Sequence, residues 1–480
     1  MAWRIALCAI CITATGMIAG CASSVDHPRD ISKVVSHALP DDVDRELVSQ
    51  YRSQRASAPT EVATLSSAAT PDEYVRFALF HSPEVEAAFQ RWRAASERLP
   101  QVSALPDPRL TFGYYVDEVQ TRTGPQESRV GIEQTLPWAG TLQDREDAAS
   151  RAAMAAWREF ESVRLSVTER VITTLHDLAY LDGTVAITRE NLDLLRSFEE
   201  VLRARYRVGS GSHPELVRVQ VELGQVEDRV TQLEAMRPPY VAELNAALNR
   251  TIDAEVPRIV NIEGRVATID ATGLSQIARR RNPILLALDE EIEQQRSLGD
   301  AARKQGLPDL TIGVDYVFTG DAISPSTPGS GDDPILLRFG INVPLWRDKY
   351  DAGVRESVAR RLAVAHERAD RANRIAAEIQ RVWFEHTDAN RRVGLYEGTL
   401  IPKAEESLRA SLAGFRAGEV SFLDLLDTER TLLEFAVAAE RARADRGKAL
   451  ARLNTLVGEP VPTQPSEVVT TPLNENEVDP

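Results

Sequence analysis

Hydrophobic and polar positions follow two periods along this chain. Over 110–136 they alternate. Leu110, Phe112, Tyr114 and Val116, then Val130, Ile132 and Leu136, mark one face, and Thr111, Gly113, Asp117, Arg129, Gly131 and Glu133 the other. The alternation returns in Leu310, Ile312, Val314 and Tyr316, then Leu337, Phe339, Ile341 and Val343, opposite Thr311, Gly313, Asp315, Arg338, Gly340 and Asn342. These stretches predict hairpin strands of about ten residues. That length suits a half-buried hairpin on a soluble core as well as a tilted membrane strand.

Helical steps of three and four dominate elsewhere. Leu178, Leu181, Val185, Leu192, Leu195 and Leu202 form a heptad-like stripe. From about Thr141 to Arg207, and from about Lys349 to Arg416, Pro402 is the only proline. Each stretch predicts a helix of about 100 Å, at roughly 1.5 Å per residue. So long a helix is a rod packed on other rods, which favours the membrane reading of the strands. Pro402 predicts a kink or break in the second rod.

The pattern occurs twice. Ser82-Pro83 and Leu110-Thr111-Phe112-Gly113 match Asn282-Pro283 and Leu310-Thr311-Ile312-Gly313 at an offset of 200. Gly131-Ile132 matches Gly340-Ile341 at 209, and Trp138 matches Trp346 at 208. Tyr206 with Gly209 matches Phe415 with Gly418, and Leu244-Asn245 matches Leu453-Asn454, again at 209. A Ser/Pro/Gly/Asp-rich loop over 320–333 accounts for the drift. The chain therefore divides into copies at 71–250 and 272–458, a linker at 251–271 and a mobile tail at 459–480. Each copy runs helix (about 72–103 and 272–305), strand, strand, long helix, shorter helix.

The predicted fold class is mainly α with membrane β. Four strands cannot close a barrel in lipid, because their edges would leave backbone groups unpaired. Several chains must share one barrel; three would supply twelve strands, continued by the rods as an α-helical tube. The polar strand faces, including Asp117, Arg129, Glu133, Asp315, Arg338 and Asn342, then line water. Trp138 and Trp346 sit where aromatic belts anchor barrels at the membrane interface.

The first residues read as an address. Arg4 precedes an apolar run from Ile5 to Ile18, which predicts a signal peptide over 1–20. Ile18-Ala19-Gly20-Cys21 resembles a bacterial lipobox, with Cys21 as the lipidated residue of an extended segment over 21–70. Ala22 rather than Asp follows it, as in lipoproteins sorted to the outer membrane. The other cysteines, Cys8 and Cys11, leave with the signal, so no thiol chemistry is expected of the mature chain.

Composition then removes whole function classes. Of 480 residues, 72 are acidic and 56 basic, a net charge of -16 that argues against nucleic-acid binding. With 43% hydrophobic residues the chain can bury a large core. The seven histidines are scattered and only four methionines occur, so no metal site and no cofactor is expected. No Gly-rich phosphate loop, His-Glu-x-x-His or Ser/His/Asp series appears, so an enzyme is not expected either.

Several of these features together resemble the TolC-type outer-membrane efflux protein family. They are Cys21, the Ser82-Pro83 and Asn282-Pro283 helix starts, Pro106-Asp107-Pro108, Gly124-Pro125-Gln126 and Gln134-Thr135-Leu136-Pro137-Trp138. The paired motifs Gly209…Ser212-x-x-Glu215-Leu216 and Gly418…Ser421-x-x-Asp424-Leu425 complete the series. The resemblance covers about 70–460 and leans to the heavy-metal efflux branch. It implies a homotrimer in the outer membrane, reaching across the periplasm. It also implies docking to a periplasmic adaptor (membrane fusion protein) and an inner-membrane transporter of the RND type. An adaptor or scaffold lipoprotein without a pore is the alternative.

At the tips, Gly209 and Gly418 permit the left-handed turn, and Ser212 and Ser421 can cap the following helices with Glu215 and Asp424 three residues on. Gly209, Ser212, Glu215, Gly418 and Ser421 are the expected adaptor contacts. Asp424-Leu425-Leu426-Asp427 also matches the family's constriction pattern, which implies carboxylate rings at a closed mouth. Capping alone accounts for Asp424 equally well. The family's closure also uses a basic tip residue; position 420 is Val, so a latch would fall to Arg207, Arg218 or Arg416.

Overall fold

The computed structural model describes residues 39, 69–209, 211–259, 262–324 and 326–465. The signal peptide, Cys21, nearly all of 21–70 and the tail after 465 lie outside the described residues.

Each copy opens with a helix pair broken at one residue. α1 (Pro71–His81) ends where α2 (Pro83–Ser96) begins, and a short α3 (Leu99–Ser103) follows. In the second copy α6 (Ala271–Arg281) and α7 (Pro283–Gln305) meet in the same way. Proline disfavours helical backbone in the residue before it. Ser82 accordingly sits at φ -64°, ψ 122°, and Asn282 at φ -63°, ψ 121°. Each closes one helix and caps the next: Ser82 Oγ accepts from the Val85 N–H, and Asn282 Oδ1 from those of Ile284 and Leu285. The single helices expected over 72–103 and 272–305 are thus divided at the prolines that announced them.

The strands are β1 (Arg109–Thr121), β2 (Gly124–Leu136), β4 (Leu310–Thr319) and β5 (Ile335–Ile341). They form one antiparallel sheet in the order β1-β2-β4-β5, so each copy gives a hairpin and β2 joins β4 across the repeat. Facing residues share a side: Leu110 lies opposite Ile132, Ile132 opposite Val314, and Val314 opposite Leu337. The apolar side is the exposed one, with Phe112 at 70% and Phe339 at 72% of full exposure. A soluble sheet buries that side. This inversion favours the membrane reading of the hairpins, because among the described residues no core covers the apolar face.

The first rod, α4 (Thr141–Arg207), runs unbroken for 67 residues, and α5 (His213–Ala247) returns along it. The six residues of the heptad-like stripe are all buried. The second rod is α8 (Arg347–Leu395), a π turn over Tyr396–Leu400 and α9 (Ile401–Ala417), with α10 (Phe422–Val457) returning. Pro402 cannot donate to the helical ladder. The π turn just before it resets the hydrogen bonding, so helical backbone continues past Pro402 without a break, and the irregularity expected there takes this form.

A small sheet joins the two ends of the duplication. β3 (Arg265–Ala267) pairs with β6 (Thr463–Pro465). Part of the expected linker is therefore a strand, and the first residues of the expected tail are held against it. His386, fully buried, secures the same corner: its Nε2 accepts from the Ala267 N–H at 3.1 Å, and its Nδ1 lies 3.1 Å from the Arg446 carbonyl.

Candidate pore wall and helical tips

The inward, polar side of the sheet carries a chain of alternating charges. Asp315 is 0% exposed and lies opposite Gly131. Arg338 donates to Asp315 Oδ1 at 3.0 Å, holds its Nε 2.6 Å from Oδ2 as an ion pair, and also reaches Glu133 at 3.5 Å. Arg109 approaches Glu133 from the far strand at 3.6 Å. Gly131 makes this packing possible, since a Cβ there would stand 1.9 Å from Asp315 Oδ1. Three of the expected wall residues, Glu133, Asp315 and Arg338, are thus brought together.

The others are placed differently. Arg129 faces Gly113 and Val317 at a more distal level of the same side. Asp117 falls in the irregular stretch of β1 between Tyr114 and Val119, where the register shifts. It therefore has no defined partner in the ladder, unlike the regular wall position expected from alternation. Asn342 lies one residue beyond β5 and accepts from the Asp309 N–H, with its own N–H donating to the Asp309 carbonyl. It clips the sheet's end to the start of β4 and is not a wall residue of the strand itself.

Trp138 and Trp346 stand at this same end, where β2 and β5 give way to the rods, and Trp346 is 76% exposed. The Trp138 N–H donates to Asp309 Oδ1 at 3.0 Å. Both indoles lie between the exposed apolar band and the helical part, the position an interfacial anchor requires.

At the far end of the rods the chain reverses twice. Gly209 at φ 76° and Gly418 at φ 82° adopt the left-handed conformation. Ser421 caps α10: its Oγ accepts from the Asp424 N–H at 3.2 Å and donates to the Asp424 carboxylate at 2.7 Å. Ser212 precedes α5 at the equivalent position, but its side chain makes no cap hydrogen bond. The cap expected in both copies is formed in one. Pro214, at the start of α5, already fixes the helical backbone there. Replacing Ser421 by Ala should cost about 1 kcal/mol through loss of the cap; thermal unfolding followed by helical circular dichroism measures it, and Ser212→Ala should change little.

Asp424 and Asp427 are exposed on one side of α10, while Leu425 and Leu426 are buried on the other. Glu215 is half-buried at the start of α5. The tips are joined by a residue the sequence reading passed over. Arg205 donates to the carbonyls of Phe415 at 3.1 Å and Arg416 at 3.4 Å, and its guanidinium stacks 4.4 Å from the Phe415 ring centre. It ties the end of α4 to the last turn of α9, where a cation complements the free carbonyls. This link lies within one chain and is separate from any latch of the mouth, which was expected of Arg207, Arg218 or Arg416. Backbone carbonyls carry no residue signature, so spacing alone could not reveal the Arg205 link.

Among the described residues no group of three or more His, Cys, Asp or Glu is placed to hold a metal ion, and no helix is long and apolar enough to cross a membrane. An outward apolar sheet face, a charged inner face and two helical rods per chain define a channel-forming protein whose membrane part is β-structure. Comparison with known proteins gives the family. Residues 75–250 and 274–459 each match the model of the outer membrane efflux proteins, and the chain belongs to that family. The two matches coincide with the two copies.

Among curated relatives, the cobalt-zinc-cadmium resistance protein CzcC of Cupriavidus metallidurans is 20% identical over 355 residues, covering 73% of this chain and 80% of the relative. Among solved structures, CusC superposes with a TM-score of 0.69 at 14% identity, covering 81% of this chain and 92% of that one. VceC of Vibrio cholerae gives 0.65 at 18% identity, covering 82% and 97%. At these identities the structural likeness supports the fold.

Proposed function

We propose that three copies of this chain assemble into an outer-membrane export duct, a twelve-stranded barrel continued by a helical tube, anchored by lipid on Cys21. The carrying observation is the sheet. Among the described residues its apolar face is bare, and β1 and β5 end it with unpaired edges. In lipid those edges must be met by strands of further chains. The tips at Gly209, Ser212, Glu215, Gly418 and Ser421 are the proposed contact with a periplasmic adaptor. An inner-membrane transporter, of the RND type, would deliver the cargo. The name of the cobalt-zinc-cadmium resistance relative favours metal cations as that cargo.

In the trimer, Asp424 and Asp427 would form carboxylate rings at the mouth. Their exposure on α10 supports this, and capping by Ser421 leaves Asp427 available for it. Conductance of detergent-purified protein in planar bilayers tests the reading. Stable cation-conducting channels are expected, and absence of conductance would favour a poreless scaffold. The pair Asp424→Asn/Asp427→Asn should weaken block by divalent cations about tenfold or more, since each lost carboxylate removes more than about 1 kcal/mol of attraction at short range. Unchanged block would remove the rings and leave the channel.

A further inference from the structure

One carboxylate is buried at a place where neither capping nor the pore explains it. Glu429, on α10, is 2% exposed, two turns from the tip, and its Oε1 has no hydrogen-bond partner among the described residues. It follows on α10 the residues Phe422, Leu425 and Leu426, which belong to the apolar cluster that packs the two hairpins together with Leu192, Leu195 and Phe198 of α4 and Val219 and Val226 of α5. Phe198 meets Phe422 edge-on at 6.4 Å. Asn191 lies seven residues from Phe198, and Glu429 seven from Phe422, both on the side away from the tip. The antiparallel register therefore sets them at one level of the seam. Asn191 Oδ1 is likewise buried without a partner among the described residues.

The charged groups acting on Glu429 are Glu222 from α5 and Arg430 on its own helix. Glu222, 8% exposed, takes the Arg430 guanidinium through both its oxygens. Arg430 also feels Asp427. α4 faces this level with Asn191, and α9 brings Leu408 and Leu412 to the cluster. One arginine thus lies beside two buried carboxylates, and Glu429 Oε1 is left without a hydrogen-bond partner among the described residues. A proton on Glu429 removes the surplus charge and lowers the cost of burying the carboxyl.

We propose that Glu429 is a proton-binding switch in the seam between the two tip hairpins: protonated, it holds α10 against α4 and α5, and ionised, it favours their separation. The proposal rests on the reading of these tips as a channel mouth. Burial first, and then Glu222, push the Glu429 carboxyl up to about 7, against the smaller pull of Arg430. The packed state therefore holds its proton more tightly than a separated, hydrated state with a pKa near the model value of 4.5. Its advantage is complete at pH below about 4.5 and is lost as pH rises to about 7. Acidification of the periplasm would lock the mouth; neutral pH would release it.

The test measures hairpin separation directly, so it does not depend on conductance. Spin labels at Val217 of α5 and Leu423 of α10, both exposed, report the distance between the hairpins in the full-length, detergent-purified protein. Cysteine labelling is clean because all three native cysteines fall within the first 21 residues. From pH 5.5 to pH 8 the separated population should rise about tenfold or more in the wild type. In Glu429→Gln it should stay at the acid value throughout, and in Glu222→Gln the transition should move to higher ionisation, that is, to lower pH. An unchanged profile in Glu429→Gln, or a wild type insensitive to pH, overturns the proposal. Helical circular dichroism of each variant checks that it folds, and Glu429→Gln should melt no lower than the wild type at pH 8. Should the distance switch fail while the protein still conducts, the switch falls and the channel stands; a switch in a protein that does not conduct gives the reverse.

Discussion

Trp92→Ala should destabilise the protein by roughly 3–5 kcal/mol, the range for emptying a large buried aromatic site. Trp92 on α2 is 0% exposed and meets Trp157 of α4 edge-on at 5.1 Å. Phe89 lies 5.2 Å from Trp92 and 5.6 Å from Phe160, and Trp157 is 5.0 Å from Phe160. These four rings fasten the short helices to the membrane end of the first rod. A methyl group cannot fill the space, and rings carried on a rigid rod cannot collapse into it. The second copy's cluster is mainly aliphatic, built on Leu285, Ile375, Ile379, Val382 and Leu453, with Trp383 partly buried against it. Denaturant unfolding in detergent, followed by helical circular dichroism, should show the midpoint fall sharply in Trp92→Ala and only partly in Trp92→Phe. A loss below about 1 kcal/mol would mean that α2 is not fastened through this cluster.

Much of this architecture was legible because it depends on local signals. α4 begins and ends where the loss of helical periodicity and Gly209 placed its bounds, and the strands follow the alternation around Leu110, Ile132, Val314 and Phe339. Ser82-Pro83 and Asn282-Pro283 were read as helix starts; that each also ends a preceding helix follows from the same proline effect. What alternation could not supply was exposure. The period of Leu110, Phe112 and Tyr114 is the same whether the apolar side meets a core or lipid. Contacts made by backbone were equally hidden. The Arg205 link ends on carbonyls of Phe415 and Arg416, and the β3–β6 pairing is two short runs almost two hundred residues apart with no strand signature of their own. The bulge that removes Asp117 from the ladder is a property of paired strands and cannot be read from one of them.

The charged wall illustrates the same division, and it yields the second large effect. Alternation put Glu133, Asp315 and Arg338 on one side; only the pairing of β2 with β4 and of β4 with β5 makes them a single network. Arg338→Leu should cost about 3–5 kcal/mol, because it strands the fully buried Asp315 carboxylate rather than because the pair itself is strongly stabilising. The second part of that reasoning gives the check. In the double variant Asp315→Asn/Arg338→Leu the stranded charge is gone, so roughly half of the loss or more should be recovered, with the remainder due to unsatisfied neutral groups of about 1–3 kcal/mol. Thermal loss of β-structure in detergent, compared across the two variants and the wild type, measures both quantities. Equal losses in the single and double variants would show that the bridge acts through its shape between Gly131 and Gly313. A negligible loss in the single variant would show that water from the bore reaches Asp315 once the guanidinium is removed.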